Sequence, residues 1–468
     1  MSQLPNFLQV IVLILVVLTV FNIIIFVHEL GHFLAARWRG LQVDRFQIWF
    51  GKPIWKKTIN GVQYGLGWIP AGGFVALPQM APMEAIEGGE KPMDPLPPIS
   101  PLDKIIVAFA GPLFSILLGL ASAAIVWQVG KPKDLIPTQT IGYVQPDGPA
   151  AKAGLQLGDE IVAINGEPVN GFMGSLESIK ERIVLSTGKQ IVFTVKRDGK
   201  LLELASTFEV SDTRWYQRSG LRQVGISYAS PLLIQKTMEH SPAADAGLLP
   251  GERVVTLDGT KIHGHAQFYT LLEAHKGGEI RLGILGLDGQ TREVALTPEK
   301  PITPKDAKPD LGIVWDPKAE VDTRIVRPGP FEQVGDSLRM MWVTVTSLFN
   351  RNSDVGISHL SGPIGIGSVM YEFLRMDDGW RRILAFMVLF NVNLAVLNML
   401  PFPVLDGGHI TLAILEKIAG RPVKAKVLEV LQTACAIALI SLMLFVSSKD
   451  AGDLIRRSGD DDKVVFPQ

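Results

Sequence analysis

The 468-residue sequence predicts an α-helical membrane protein with about four transmembrane helices and a membrane-re-entrant β-hairpin, into which two small α/β domains are inserted. Three observations carry that expectation. Apolar runs at about residues 7–36, 105–129, 383–400 and 427–446 match the ~20 residues a helix needs to cross the hydrocarbon core. The stretch 61–77, GVQYGLGWIPAGGFVAL, has Val62, Tyr64, Leu66 and Trp68 at alternate positions among glycines, which suits strands joined by tight turns. Between about 131 and 330 hydropathy drops and a segment repeats itself, the mark of a duplicated soluble unit.

Composition agrees and excludes other classes. The 45 basic and 46 acidic residues leave a net charge of -1, so nothing points to nucleic acid as a partner. A mean hydropathy of +0.25 with 47% hydrophobic residues indicates membrane segments diluted by a soluble portion. The single cysteine, Cys435, excludes an intrachain disulfide and a thiolate-rich zinc site. Any zinc must therefore be held by His, Asp or Glu.

The N-terminal membrane part, 1–130, opens on a run that reads FNIIIFVHELGHFLAA over 21–36. It contains H-E-x-x-H. His28 and His32 are four residues apart, so a helix stacks both imidazoles on one face at a spacing that suits a metal ion. Glu29, the only formally charged side chain in the first 36 residues, stands where it can act as general base. The five-residue motif alone arises by chance, but three polar side chains without partners are costly at membrane depth. A cleavable signal peptide is not expected, because no Lys or Arg precedes the apolar run and it lacks a small-residue cleavage site.

Arg37, Arg39, Arg45, Lys52, Lys56 and Lys57 follow closely and mark the cytoplasmic side, which puts the N-terminus outside and the histidines near the cytoplasmic end. The hairpin at 61–77 would dip back beside the metal, because non-helical backbone is tolerated at that depth only where protein or a cavity surrounds it. Residues 80–101 are proline-rich and polar and read as a loop. The second run carries Ala110-Gly111-Pro112 and the small residues Ser115, Gly119, Ala121 and Ser122, which allow close approach to the first helix.

In the soluble part, Pro149-Ala150-Ala151-Lys152-Ala153-Gly154-Leu155 recurs as Pro242-Ala243-Ala244-Asp245-Ala246-Gly247-Leu248, and Asn165-Gly166 recurs as Asp258-Gly259, at a constant offset of 93. Each copy has a short helical turn ending at glycine, a Gly-acidic turn into an apolar strand, and a hairpin closed by Asn-Gly or Asp-Gly. The pattern resembles PDZ domains in the permuted arrangement of bacterial envelope proteases, giving domains at 131–228 and 229–317. By that resemblance, Val224-Gly225-Ile226 and Leu311-Gly312-Ile313 would line a groove that takes an extended peptide by strand addition. The alternative is a pair of spacers or size filters. Residues 318–370 form a linker in which Phe331, Val334, Leu338, Met341 and Val345 fall at helical spacing, either on the membrane surface or against a core. The C-terminal membrane part, 371–468, holds the last two spans and a charged tail expected to be disordered.

Two histidines leave a catalytic zinc one protein ligand short. The third span ends in Asn398-Met399-Leu400-Pro401-Phe402-Pro403-Val404-Leu405-Asp406-Gly407-Gly408, where prolines break the helix and glycines free the backbone to aim Asp406 inward. His409 competes for the role, and Glu416 less strongly. Together, H-E-x-G-H and N-x-x-P-x-P-x-L-D-G-G resemble the site-2 protease family of intramembrane zinc metalloproteases, and the likeness runs over nearly the whole chain. It implies one zinc ion on His28, His32 and Asp406, Glu29 as catalytic base, and Asn398 and Asn393 at the substrate backbone or the developing oxyanion. Tyr64 and Leu66 in the hairpin would then meet the unwound substrate. The resemblance also implies a bacterial inner membrane location, with the site toward the cytoplasm and the PDZ-like pair in the periplasm. Substrates would be single-span membrane proteins such as an anti-sigma factor, and signal-peptide remnants, reached within the lipid bilayer. A membrane scaffold with a structural metal is the rival reading, but it has no use for Glu29. A metal transporter would spread its polar residues over several spans.

Overall fold

A computed structural model of the chain describes residues 6–80, 99–214, 217–275, 277–303, 307–420, 423, 425–460 and 466. Most of the proline-rich loop expected at 80–101 lies outside the described residues. The chain divides into two compact units: 1–132, 326–343 and 361–448 in the first, and 133–325, 344–360 and 449–468 in the second.

The first unit is built on helices α1 (Asn6–Trp38), α2 (Pro101–Val129), most of α3 (Pro330–Phe349), α4 (Pro363–Arg375), α5 (Gly379–Asn398), α6 (Asp406–Ala419) and most of α7 (Ala425–Asp460). Among the described residues, α1, α2, α5 and α7 are long and apolar enough to cross a membrane. α2 is central and packs on α1, α5 and α6. Its start is set by Ser100, whose side chain accepts from Asp103 N, and by Pro101, whose missing N–H costs nothing in the first turn. Close packing of α1 on α2 depends on glycine: a Cβ at Gly31 of α1 would run into the Ala110 carbonyl of α2.

Four strands lie against α1: β1 (Arg45–Phe50), β2 (Trp55–Ile59), β3 (Val62–Leu66) and β4 (Ile69–Ala76), in the order β2-β3-β1-β4. β2 and β3 are joined at Asn60-Gly61, both at positive φ (49° and 82°), the geometry of a two-residue hairpin turn. The stretch 61–77 is therefore not a hairpin of its own. β1 inserts between β3 and β4, parallel to the former with Phe46 opposite Tyr64, and antiparallel to the latter with Gln47 opposite Phe74. The physical reason lies in RFQIWF: Phe46 is buried and packs on Phe33 of α1, which draws in as a central strand a segment that the sequence reading took only as part of the basic cluster. β3 is thus interior, and β4 is an edge.

α3 faces opposite to a core-packing helix. Its polar Gln333 and Ser337 are buried, with Gln333 Nε2 donating to the Ala123 and Pro328 carbonyls, while Phe331 and Trp342 are 82% and 70% exposed.

In the second unit the two repeats fold alike. The sheet of the first runs Lys200–Ser206, Ile191–Arg197, Glu160–Ile164, Glu167–Pro168; that of the second runs Thr291–Leu296, Ile280–Leu285, Arg253–Leu257, Leu232–Thr237, Ile313–Trp315. Their cores close around Phe193 and Phe268. The duplication extends to single hydrogen bonds. Asp159 accepts from Gln156 N and is paired to Arg197; Glu252 accepts from Leu249 N and is paired to Arg292. Asn165-Gly166 and Asp258-Gly259 make the same turn, at φ of 50° and 79° and of 49° and 77°. The end of α7 also belongs here, which corrects the expectation of a disordered tail for the residues up to Asp460. Arg218 pairs with Asp450 at 2.6 Å and with Asp453 at 2.7 Å, and Lys449 donates to the Gln217 carbonyl, so the charges that suggested disorder are used as ties.

Candidate metal centre

His28 and His32 lie one turn apart on α1 and are 7% and 9% exposed. Their rings are oriented by α2. His28 Nδ1 is 2.9 Å from the Ser115 hydroxyl, and His32 Nδ1 is 2.8 Å from the Val107 carbonyl oxygen. A carbonyl can only accept, so His32 carries its proton on Nδ1 and Nε2 presents a lone pair. Gly111 faces the same imidazole, and a Cβ there would collide with three atoms of the His32 ring. Asp406 is the first residue of α6, where the helix N-terminus favours negative charge. Gly407 and Gly408 pack on the carbonyls of Met399, Leu400 and Phe402 with no room for a Cβ, so the chain folds back tightly enough to return Asp406 to α1.

The result is a triangle. The two Nε2 atoms are 3.3 Å apart, and the Asp406 carboxylate spans them, with Oδ2 3.3 Å from His28 Nε2 and Oδ1 3.3 Å from His32 Nε2. Donors on a tetrahedral zinc with bonds of about 2.0–2.1 Å stand about 3.3–3.4 Å from one another, which is the separation of the two Nε2 atoms and of each imidazole from its own carboxylate oxygen. Asp406 Oδ2 is buried without a hydrogen-bond donor, a costly condition that a cation relieves. Among the described residues, His28, His32 and Asp406 are the only set of three or more such side chains grouped to hold a metal. His409 lines the cavity without joining that set, and Glu416 is taken by Lys104 at 2.7 Å.

A cavity of about 470 Å³ opens beside the triangle. Glu29, Asn398, Val404 and His409 line it, and one wall is β4, through Gly72, Gly73, Phe74 and Val75. Gly73 lies so close to α1 that a Cβ would sit 3.3 Å from Glu29 Cγ. The amide nitrogen of Asn398 is 3.2 Å from His28 Nε2.

Other expected residues fall elsewhere. Asn393 does not line the cavity, being turned away on α5 with its Oδ1 unpartnered. Tyr64 and Leu66 are also absent from its wall: β3 is an interior strand, and the Tyr64 ring packs with Phe33 and Phe46. The strand on the cavity wall is β4 instead. In the repeats, Val224 and Leu311 are core side chains, each 1% exposed, and Ile313 is buried, leaving main chain rather than side chain at those positions. Gly225 and Gly312 turn there at φ of 79° and 71°, ahead of the strands Ile226–Tyr228 and Ile313–Trp315. The sequence reading missed the metal-site roles of Ser115, Gly111 and the Val107 carbonyl. Ser115 and Gly111 registered only as small residues for helix packing, and a backbone carbonyl leaves no trace in a sequence.

A membrane-helix unit that gathers two histidines and an aspartate at zinc spacing, with a glutamate on the same cavity, defines a metallopeptidase of the membrane. The chain belongs to peptidase family M50, the site-2 protease family, whose pattern matches residues 14–442, and it is a zinc metalloendopeptidase. It is 28% identical over 444 residues to the regulator of sigma-E protease RseP of Salmonella typhimurium, covering 90% of this chain and 94% of that one. A Neisseria meningitidis protein provisionally named a zinc metalloprotease is 29% identical over 448 residues, 91% of this chain and 95% of its own, and one of Treponema pallidum is 28% identical over 466 residues, 92% and 97%.

Proposed function

We propose that this protein cuts the membrane-spanning segments of single-span proteins after their outer domains have been removed, at a single zinc site near the cytoplasmic face of a bacterial inner membrane. The observation that carries the reading is the His28-His32-Asp406 triangle opening onto a cavity shared by Glu29 and the edge strand β4. Bound on those three side chains, zinc supplies Lewis acidity toward a peptide carbonyl and toward water. Glu29 takes the proton of the attacking water and delivers it to the leaving amine. Asn398 donates its amide N–H to the carbonyl oxygen as that oxygen gains charge.

A substrate helix has its carbonyls engaged in its own hydrogen bonds and must unwind before attack. β4 has a free edge on the cavity, and pairing along it would replace the bonds lost. The repeats read as PDZ-like domains on the periplasmic side that admit only trimmed substrates. The printed name of the Salmonella relative is in keeping with an anti-sigma factor as one such substrate, and signal-peptide remnants fit the same requirement. The outward apolar side of α3 suits a helix resting in the membrane interface.

The test is cleavage of a membrane-inserted substrate without its outer domain by the purified wild type and by Glu29→Gln, with bound zinc measured in both. Cleavage lost by roughly 10²–10⁴-fold with zinc retained is the expected result. Equal zinc and no cleavage by either form would replace this reading with a metal-stabilised scaffold. Deleting 132–317 should let untrimmed substrates be cut; an unchanged need for prior trimming would sink the gating role.

A further inference from the structure

The two repeat domains hold the carbonyls of their glycine turns alike and differ in what surrounds them. The carbonyls of Val224 and Gly225 accept from Ala150 N and Gln145 N, and those of Leu311 and Gly312 accept from Ala243 N and Met238 N. What lies over the glycine differs. At Gly225 it is the side chain of Gln145, from the same domain, 3.0 Å from where a Cβ would stand. At Gly312 it is Ser241, which caps the helix Pro242–Asp245, together with the ring of Phe466, whose Cε2 would be 2.9 Å from such a Cβ. Phe466 is 2% exposed.

The polar side of this turn is also filled. Leu311 N and Gly312 N both donate to Asp310 Oδ1, at 2.6 and 2.9 Å, so the pair of N–H groups that could receive a peptide carboxylate is met by the domain's own acid. The first domain has Gln223 in the corresponding place. What the second turn offers a ligand is therefore apolar, and an aromatic side chain sits on it. The sequence leading to that side chain is charged through Asp460-Asp461-Asp462-Lys463 and turns apolar only at Val464-Val465-Phe466. α7 ends at Asp460 and is tied into the same unit through Arg218 and Asp450, so five residues separate an anchored helix from Phe466. A short tether gives an effective concentration in the millimolar range, enough to keep a weak contact occupied.

We propose that Phe466 occupies the glycine turn of the second repeat domain in cis, so that this domain is a self-filled site which another apolar peptide enters only by displacing it. The inference does not depend on the proteolytic reading, and its test reads no cleavage. Hydrogen exchange of the full-length protein in detergent would be followed for the wild type, Phe466→Ala and Phe466→Asp. Backbone amides at 238–243 and 311–313 should exchange at least tenfold faster in both variants, while those at 145–150 and 224–226 stay unchanged. A labelled synthetic peptide of residues 461–468 should bind Phe466→Asp at least tenfold more tightly than the wild type, and should restore slow exchange at 311–313. Unchanged exchange in the variants, equal peptide binding to wild type and variant, or failure of bound peptide to restore protection would each overturn the proposal.

Discussion

Asp159 in the first repeat domain is a fully buried carboxylate and Asp406 in the membrane unit a part-buried one, and their surroundings differ in kind. Asp159 is 1% exposed and meets Arg197 Nε at 2.6 Å, Arg197 Nη2 at 2.7 Å and Gln156 N at 2.9 Å. Its charge is balanced and its lone pairs are used. Asp406 faces two imidazole nitrogens at 3.3 Å, and its Oδ2 has no donor. The protein has satisfied one acid and left the other for something from outside. A buried acid with all its partners is a strut; one held between lone pairs is a place for a cation.

That contrast can be broken at either end. The largest effect is expected from Asp406→Asn, which removes the charge that balances the metal: zinc per chain should fall to background and cleavage with it, while thermal unfolding of the repeat domains is unmoved. Zinc analysis beside calorimetry checks both halves. Arg197→Ala should do the reverse, leaving zinc content intact and destabilising the first repeat domain by about 3 kcal/mol, because Asp159 stays buried without its counter-charge. The equivalent Arg292→Ala should cost only about 1 kcal/mol, since Arg292 is 45% exposed and water screens its pair with Glu252. Denaturant titration monitored by hydrogen exchange separates the two domains. The smallest change is expected from Ser115→Ala, which removes the group beside His28 Nδ1 but no ligand: zinc affinity should drop about 10–100-fold, with folding unaffected. Competition with a chelator of known affinity measures it.

What could be read in advance depended on whether the physics was local. The paired histidines follow from helical period, and Asp406 follows from two prolines and two glycines within a few residues of it, so the donor set was visible before any fold. The duplication was visible because its turns recur at a fixed offset. Strand order was not. β1 is separated from β3 by 11 residues of chain and pairs with both β3 and β4, and no pattern within 61–77 announces a strand inserted from outside. The interior position of Tyr64 and Leu66 could not be read in advance for that reason. Asn391, fully buried and bonded to the Met387 carbonyl, and Asn393, off the cavity, cannot be told from Asn398 by residue type, since it is Asn398, at the end of α5, that reaches His28. The charged stretch after 446 was misread because ion pairs to Arg218 over two hundred residues away order it.

The β4 wall has a consequence for selectivity. Where Gly72 and Gly73 face the cavity, no side chain projects to feel the shape of another. A strand edge of that kind recognises amide groups, which every sequence carries, so residue identity at the cut is a poor basis for choice. On the proposed reading, in which the substrate is a membrane helix, what separates one bound segment from another is the free energy needed to uncoil it. Per residue, glycine costs a helix about 1 kcal/mol and a proline about 3 relative to alanine, so two such residues near the scissile bond would change turnover more than any change of side-chain size. Choice by such an enzyme is a measurement of helix strength.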